Sequence, residues 1–285
     1  MLSDWDLYLN EKKKLLSKYD KVLKSKELPS YFTKEVIVEN KNNLTNDKFI
    51  VSICGQMKTG KSTLINSFLF GDTVLPHALS TMTANLSIMH YAEVPRFEVV
   101  YYTPEEWKQV ESDYKPKDSS SIEFENALRI ISEYDLSIED IIKKKSESFS
   151  DLKELKKYAA VSQEGGLFSI LVKYINIYYP NDLLKHITIV DTPGTNDPNK
   201  VREEITVDWL LKSNAVLYVT YAGQAFTDFD YEFMNKYLLH VEPKCMILAV
   251  NKCDVAKNIE VIENWLNNKL LKNFKLESIK RNFNK

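Results

Sequence analysis

The residues with the clearest chemical potential lie at positions 55–62, which read GQMKTGKS. An apolar run precedes them and a helical pattern follows, so the segment predicts a strand, a glycine-rich loop and a helix. Glycine at two loop positions lets successive backbone N–H groups face an anion, and the N-terminus of the helix favours the same negative charge. Lys61 would then reach the β- and γ-phosphates of a nucleotide, and the Ser62 hydroxyl would ligate Mg²⁺. A chance glycine and lysine turn is the plainer alternative, and the flanking strand and helix argue against it.

A carboxylate with a matching role follows the apolar run ITIV at residues 187–190. Asp191 stands at the carboxyl end of this predicted strand, the edge where ligands bind in open α/β sheets. There it would hold Mg²⁺ through a water molecule, and the N–H of Gly194 would meet the γ-phosphate. DTPG alone could be a simple turn, but its position after a phosphate loop favours a role in the site.

The sequence NKCD at residues 251–254 predicts which base is bound. Guanine presents N1–H and N2–H₂ as adjacent donors, and the carboxylate of Asp254 can accept from both. Adenine lacks this pair and would leave the carboxylate unpaired. Asn251 would support the O6 and N7 side of the base, and the stem of Lys252 would lie over it. We therefore expect the protein to prefer GTP to ATP.

Composition limits the remaining possibilities. A chain of 285 residues with 44% hydrophobic content can bury a large core, either as one domain with additions or as two domains. With a formal net charge of -2, the protein would not attract nucleic acid by long-range electrostatics, so no nucleic-acid partner is expected. The cysteines at 54, 245 and 253 lack paired spacing, which favours a reducing compartment. Because no apolar run is long enough to cross a membrane and no signal peptide is evident, a cytoplasmic location is expected.

Alternating strand and helix patterns predict the fold class. They indicate an α/β domain of the P-loop type, with a mostly parallel sheet and helices on both faces. Strand patterns fall at residues 49–53, 85–92, 96–102, 170–179, 187–190, 215–221 and 245–250, and helical patterns at residues 201–212 and 228–240. The strands at 85–92 and 96–102 are separated by Glu-Val-Pro, and we expect them to pair as a hairpin.

Two segments lie outside this alternation. Residues 4–28 place apolar side chains at helical spacing among many lysines, which favours a helix packed on its own protein over one lying on an anionic membrane. The Asn-rich residues 39–47 are interpreted as a polar linker, so residues 1–46 form an N-terminal helical segment and residues 47–285 the nucleotide-binding domain. Within that domain, residues 104–165 predict a helical insertion that starts from a capping box of Thr103 and Glu106.

Four segments together carry a family resemblance: GQMKTGKSTLINSFLFGDTVLP, TMTA, ITIVDTPGTND and NKCD. They resemble the GTPase domain of the bacterial dynamin-like proteins, relatives of dynamins and mitofusins, over roughly residues 48–260. The motifs are highly specific for a GTPase. The VLP after the first helix, the Thr83-Ala84 pair, the long interval from Lys61 to Asp191 and the N-terminal helix, which in the family packs into a neck, favour a dynamin-like member.

The resemblance implies a hydrolase that acts on GTP with Mg²⁺ as cofactor. It makes Thr83 the switch threonine that coordinates the metal and positions the attacking water. Catalytic roles are assigned to Lys58, Lys61, Thr83 and Gly194, and metal binding to Ser62, Thr83 and Asp191. The predicted contacts to GTP are Gly55, Gln56, Met57, Lys58, Thr59, Gly60, Lys61, Ser62, Thr63, Asp191, Gly194, Asn251, Lys252 and Asp254.

The resemblance also implies partners. Two GTPase domains are expected to meet across their nucleotides, which stimulates hydrolysis, either as a homodimer or with a stalk-bearing dynamin-like partner. Turnover would be linked to membrane remodelling, with peripheral contact at the inner face of the membrane. The stalk and the strand and helix that follow the GTPase motifs in the family are expected to be absent here, which removes one wall of the guanine pocket.

The chain departs from the family pattern at two places near the phosphates. Thr195 stands where small Ras-like GTPases have a water-orienting Gln, as is usual for dynamin-like proteins. Met57 and Lys58 stand where eukaryotic dynamins have Gln and Ser. We hypothesise that Lys58 supplies positive charge near the oxygen that bridges the β- and γ-phosphates. A lysine that points into solvent is the plain alternative.

Two further functions remain open from the sequence. The first is a GTP-dependent switch or scaffold that hydrolyses slowly or not at all and acts through a partner. The missing catalytic Gln supports it, whereas the complete set of Ser62, Thr83 and Asp191 argues for hydrolysis. The second is a GTPase of the ribosome-assembly or tRNA-modification type, which the lack of a basic nucleic-acid patch disfavours.

Overall fold

The computed structural model describes most of the chain between residues 4 and 255. The described residues are 4–25, 33–46, 49–56, 58–70, 85–114, 124, 128–129, 131–133, 137–159, 169–193, 200–224, 227–238, 245–255, 260 and 264.

Eight strands of the described chain form one mixed sheet. Their order across the sheet is β4-β3-β5-β2-β6-β1-β7-β8. Neighbours among β6, β1, β7 and β8 run parallel, as do β2 and β5, whereas β2–β6, β3–β5 and β3–β4 are antiparallel. The predicted α/β fold class is confirmed, and the antiparallel pairs are confined to one half of the sheet. The strands are β1 (Phe49–Cys54), β2 (Leu86–Tyr91), β3 (Arg96–Tyr101), β4 (Ser146–Phe149), β5 (Val172–Tyr179), β6 (Ile187–Asp191), β7 (Ala215–Tyr221) and β8 (Cys245–Asn251).

The predicted hairpin between the second and third strands is wrong. Strand β5 lies between β2 and β3 and pairs with both, parallel to β2 and antiparallel to β3. The short turn after β2 therefore leads to a strand one place further away in the sheet. Aromatic and β-branched side chains make β5 well suited to this interior place, because they pack on both faces of a sheet.

The parallel half of the sheet brings three strand ends to one edge. Ile53 of β1 stands beside Asp191 of β6, and Tyr221 of β7 stands beside Asn251 of β8. Because parallel strands share their direction, β1, β6 and β8 all end at the same edge. The three motifs that follow these strands in the sequence are thereby placed near one another.

Helices cover both faces of the sheet. Ile53 belongs to one buried cluster, with Ile65 from a helix after β1. Its neighbour Cys54 belongs to a second buried cluster, with Leu210 and Phe233. Since successive side chains of a strand point to opposite faces, the two clusters lie on opposite sides of the sheet. The helices described are α1 (Asp4–Lys24), α2 (Lys34–Thr45), α3 (Lys61–Leu69), α4 (Pro104–Tyr114), α5 (Ile138–Lys143), α6 (Lys156–Ala159), α7 (Lys200–Lys212) and α8 (Asp228–Phe233), which continues as a π-helical turn over Met234–Leu238.

The insertion begins as predicted but is not wholly helical. Thr103 Oγ1 accepts from the N–H of Glu106, and the Glu106 carboxylate accepts from the N–H of Thr103, which completes the expected capping box of α4. Strand β4, however, extends the sheet beyond β3. Its sequence SESF shows too little apolar alternation to reveal a strand. Tertiary contacts hold it, since Phe149 stacks on Phe97 with ring centroids 4.9 Å apart.

The N-terminal segment packs on its own protein. Asp20 of α1 pairs with Lys41 of α2 at 2.7 Å, and the ring of Tyr8 lies 5.8 Å from that of Phe49. The predicted linker over residues 39–47 is wrong for most of its length, because α2 continues to Thr45. Among the described helices, none combines the length and the apolar character needed to cross a bilayer.

Candidate functional site

The phosphate loop runs from the end of β1 to the start of α3, as predicted. Two of its glycines have positive φ angles, +143° at Gly55 and +94° at Gly60. A Cβ atom at Gly55 would lie 2.1 Å from the carbonyl oxygen of Val219 on the neighbouring strand. Glycine is therefore required here for two reasons, the left-handed backbone and the close approach of β7. Helix α3 begins at Lys61, directly after Gly60, so its N-terminus adjoins the loop and favours a bound anion there.

Lys61 is held inside this loop. Its side chain is nearly inaccessible, with 2% of the residue surface exposed. The ammonium donates to the carbonyl oxygens of Gly55 and Gln56, both at 2.8 Å. Burial lowers the pKa of Lys61, and the nearby carboxylate of Asp191 acts in the opposite direction. A buried cation is thus fixed by two backbone carbonyl groups of the loop.

Ser62 and Asp191 face each other beside the loop. The Ser62 hydroxyl donates to Asp191 Oδ2 at 3.3 Å. Asp191 Oδ1 is buried and has no hydrogen-bond partner among the described residues, and the same is true of the hydroxyl of Ser87, which stands opposite Asp191 in the β2–β6 pair. Burial raises the pKa of Asp191 from 3.8 to about 6, although Lys61 and Ser62 oppose the shift. Desolvation therefore disfavours the charged form of Asp191, and its Oδ1 could still accept a hydrogen bond or bind a cation.

These residues fit a magnesium site. Magnesium takes oxygen ligands and is usually bound by one or two carboxylates together with phosphates and waters. Asp191 and Ser62 supply a carboxylate and a hydroxyl at the same edge of the sheet as the loop. A divalent cation would also relieve the desolvation that raises the pKa of Asp191.

The NKCD segment touches the phosphate loop directly. The Asn251 amide donates to the Thr59 carbonyl at 2.9 Å, and the Lys252 ammonium donates to the Lys58 carbonyl at 2.9 Å. Lys252 has φ +58°. Asp254 lies in the short 3₁₀ turn Cys253–Val255 and is exposed. Asn251 and Lys252 therefore support the loop from the β8 side, and the carboxylate of Asp254 is accessible to a ligand.

The side chain of Gln56 extends from the phosphate loop to the N-terminus of α8. Its amide donates to Thr227 Oγ1 at 2.5 Å and to Asp230 Oδ2 at 2.8 Å. Thr227 and Asp230 form the capping box of α8. Neither Thr227 nor Asp230 was predicted from the sequence to contact the loop. Thr-Asp-Phe-Asp before a helical pattern is the local signal that could have found the cap, but its contact with the loop depends on the tertiary structure.

Three of the predicted site residues lie outside the described residues: Met57, Thr83 and Gly194. Four others have exposed side chains: Lys58, Thr63, Lys252 and Asp254. Lys58 has φ +63°, an uncommon angle for a residue with a side chain. The structure brings together Gly55, Gln56, Thr59, Gly60, Lys61, Ser62, Asp191, Asn251 and Lys252.

Comparison with known proteins identifies the family of this chain. Residues 51–253 match the model of the dynamin family. The chain belongs to the dynamin family. The matched residues include the phosphate loop, Asp191, Asn251 and Lys252, so the match covers the site described above except for Asp254.

Two bacterial dynamin-like proteins are among the relatives. Dynamin-like protein 1 of Campylobacter jejuni is 30% identical over 222 residues, which cover 76% of this chain and 29% of that protein. Dynamin-like protein A of Bacillus subtilis is 25% identical over 271 residues, which cover 82% of this chain and 22% of that protein. The chain thus spans less than a third of the length of either relative.

Solved structures support the dynamin fold. Two chains from an oligomerised bacterial dynamin pair superpose with TM-scores of 0.65 and 0.69 at 20% and 21% identity. The superpositions cover 95% and 98% of this chain and 36% and 44% of those chains. At this identity the comparison establishes the fold.

Proposed function

We propose that the protein binds GTP with Mg²⁺ and hydrolyses it. One observation carries the proposal: Asp191, with a buried oxygen available, faces Ser62 next to the buried ammonium of Lys61. A carboxylate, a hydroxyl and a cation at the mouth of a glycine loop are the groups that phosphoryl transfer from a nucleotide needs. Membership of the dynamin family supports the same function.

The chain's own groups position and stabilise the reacting phosphates. Backbone N–H groups of the loop and the N-terminus of α3 hold the phosphate oxygens, and Lys61 neutralises charge on the β- and γ-phosphates. Ser62, Thr83 and, through water, Asp191 would hold Mg²⁺, and the bound ion would supply positive charge that offsets the charge of the phosphates. Thr83 positions the attacking water, and the N–H of Gly194 contacts the γ-phosphate. Catalysis then rests on orientation and electrostatics, without a protein base.

Guanine selectivity is assigned to the NKCD segment. The exposed Asp254 accepts from N1–H and N2–H₂ of guanine, and the stem of Lys252 lies against the base. Asn251 acts mainly through the loop, because its amide already donates to the Thr59 carbonyl. The predicted contacts from Met57 and Thr63 complete the proposed set.

Turnover measured against protein concentration tests this function. GTP and ATP hydrolysis by the purified chain is followed over a wide concentration range, with the Lys61→Ala variant as the blank. GTP-specific turnover above the blank supports the proposal, and specific activity that rises with concentration supports stimulation by a second GTPase domain. Tight GTP binding with turnover no higher than the blank would instead favour the slow switch or scaffold.

Lys58 is proposed to take part in catalysis. Its side chain is exposed and its backbone is left-handed, which puts a solvent-accessible cation in the loop. We expect Lys58→Ala to lower GTP turnover by about tenfold, because a charge near the bridging oxygen acts mainly in the transition state. GDP affinity, measured by calorimetry, should change little. Unchanged turnover would show that Lys58 only points into solvent.

Assembly and location follow as further proposals. The relatives of known structure form an oligomerised bacterial dynamin pair described as sensing and tethering membranes. We infer that this chain works as a homodimer across the nucleotide or together with a stalk-bearing dynamin-like partner. It would act in the cytoplasm, with peripheral contact at the inner face of the membrane, in membrane remodelling. Residues 1–46 would serve as a helical segment beside a GTPase domain formed by residues 47–285.

A further inference from the structure

Asp230 is a fully buried carboxylate at the start of α8, with none of its surface exposed. Its Oδ1 accepts from the Tyr218 hydroxyl at 2.5 Å. Its Oδ2 accepts from the Thr227 N–H at 2.7 Å, from the Thr227 hydroxyl at 3.0 Å and from the Gln56 amide at 2.8 Å. A buried charge requires such partners, and this one draws three of its four hydrogen bonds from its own helix cap and from β7. The fourth comes from the phosphate loop.

Gln56 connects this carboxylate to the residues that would hold phosphate. While its side chain is bound to Asp230, its carbonyl oxygen accepts from the Lys61 ammonium at 2.8 Å and from the Thr59 hydroxyl at 2.9 Å. Both ends of Gln56 are therefore fixed. The contact with Asp230 therefore restrains the same residue whose carbonyl holds Lys61.

The loop is thus supported from two sides. Asn251 and Lys252 hold the carbonyls of Thr59 and Lys58 on the β8 side. Gln56 holds the opposite side, through Asp230. Glycine at 55 and 60 gives the unbound loop many accessible backbone conformations. Contacts that limit these conformations before the nucleotide arrives reduce the entropy lost on binding and so raise affinity.

We propose that Asp230 is a positioning residue for the phosphate loop, which acts through Gln56 to raise the affinity for the phosphate chain of guanine nucleotides. The inference rests on the proposed GTP binding and extends it to a helix that does not contact the nucleotide. It assigns the capping box two tasks, capping the N-terminus of α8 and ordering the loop. Base recognition by the NKCD segment is independent of this contact.

The Gln56→Met variant tests the contact with little change in volume. Methionine is similar in length to glutamine but offers no N–H to Asp230. We expect GDP and GTP affinities, measured by calorimetry, to fall by about tenfold, since a hydrogen bond to a buried charge is lost. Guanosine, whose binding is measured by NMR, should bind as in the unchanged chain because it has no phosphate. A general loss of stability would instead lower the affinities for GDP and for guanosine by similar factors.

Gln109→Met is the matched control. The Gln109 amide donates to Asp113 at 2.9 Å on the exposed surface of α4, so this variant removes the same kind of hydrogen bond far from the loop. The role of Asp230 is tested by combining Asp230→Ala with Gln56→Met. If Asp230 acts through Gln56, the double variant binds GDP no more weakly than Asp230→Ala alone. Because Asp230→Ala leaves the Tyr218 hydroxyl without its acceptor, its Tm is measured first, and Asp230→Ser replaces it if it is unfolded.

Three outcomes would contradict the inference alone, and a fourth would contradict the proposed function on which it rests. GDP affinity of Gln56→Met within twofold of the unchanged chain would show that the contact does not order the loop. Equal losses for GDP and guanosine, or fully additive losses in the double variant, would show that Asp230 acts in another way. If the unchanged chain binds neither GDP nor GTP, the proposed function fails and the inference fails with it.

Discussion

The Lys61→Ala variant is expected to lose GTP and GDP binding almost completely. The ammonium of Lys61 is buried and is held by two loop carbonyls at 2.8 Å, which is consistent with the phosphate contact proposed for it. Truncating one member of a buried charge pair costs roughly 3 kcal/mol or more, which is more than about a hundredfold in affinity. Calorimetry with GDP and a GTP turnover assay measure the two consequences.

Lys173→Ala is the control for Lys61→Ala. Lys173 is also a partly buried lysine with a close partner, Glu106 at 2.6 Å, but it belongs to β5, away from the loop. This variant should keep the nucleotide affinity of the unchanged chain. GDP affinity of Lys61→Ala within threefold of that value would contradict the site proposed here, whereas a comparable loss in Lys173→Ala would indicate a general effect of the substitution on folding.

The Asp191→Asn variant should change stability and activity in opposite directions. Burial raises the pKa of Asp191 to about 6, so the folded protein holds a proton that the unfolded chain releases near 3.8. The free energy of unfolding contributed by this group therefore falls as pH rises from about 4 to about 6. Without Mg²⁺ at neutral pH, Asp191→Asn should be more stable by roughly 3 kcal/mol. GTP turnover should fall by roughly 10- to 100-fold, because the carboxylate proposed to hold Mg²⁺ is removed.

Urea unfolding at several pH values, in buffer without divalent ions, measures the stability part of this prediction. The pH dependence between about 4 and about 6 should be weaker in Asp191→Asn than in the unchanged chain. Asp182→Asn is the control, because Asp182 is exposed and its neighbour Lys185 holds the pKa of its carboxyl below the ordinary value. A loss of stability in Asp191→Asn at neutral pH would contradict the view that the carboxylate is strained in the folded protein.

The parts of the structure that the sequence predicted well depend on local patterns. The glycine loop, Asp191 and NKCD all follow apolar runs, and each was found at the end of a strand on one edge of the sheet. The strand at β7 was predicted with its observed bounds, Ala215–Tyr221. The spacing of Thr103 and Glu106 likewise predicted the capping box of α4, because both of its hydrogen bonds are local.

The parts that were not predicted depend on contacts between distant residues. The Glu-Val-Pro turn after β2 signals a hairpin, but a turn cannot show that β5 will separate the two strands. Strand β4 has few apolar residues and is held by its neighbours. Gln56 was assigned to the nucleotide from its place in the loop motif, whereas its side chain bonds to Asp230, which is 174 residues away. None of these contacts leaves a pattern in a short window of sequence.

The place of β5 between β2 and β3 has a consequence for how the chain acquires its shape. Strands β2 and β3 are complete by residue 101, but the strand that joins them begins only at residue 172. Strand β1, which leads into the phosphate loop, also has both of its neighbours, β6 and β7, later in the chain. During synthesis at roughly 5–20 residues per second, the emerging N-terminal part must wait several seconds with open strand edges. The nucleotide site therefore forms only after β6, β7 and β8 have been synthesised and can close this part of the sheet.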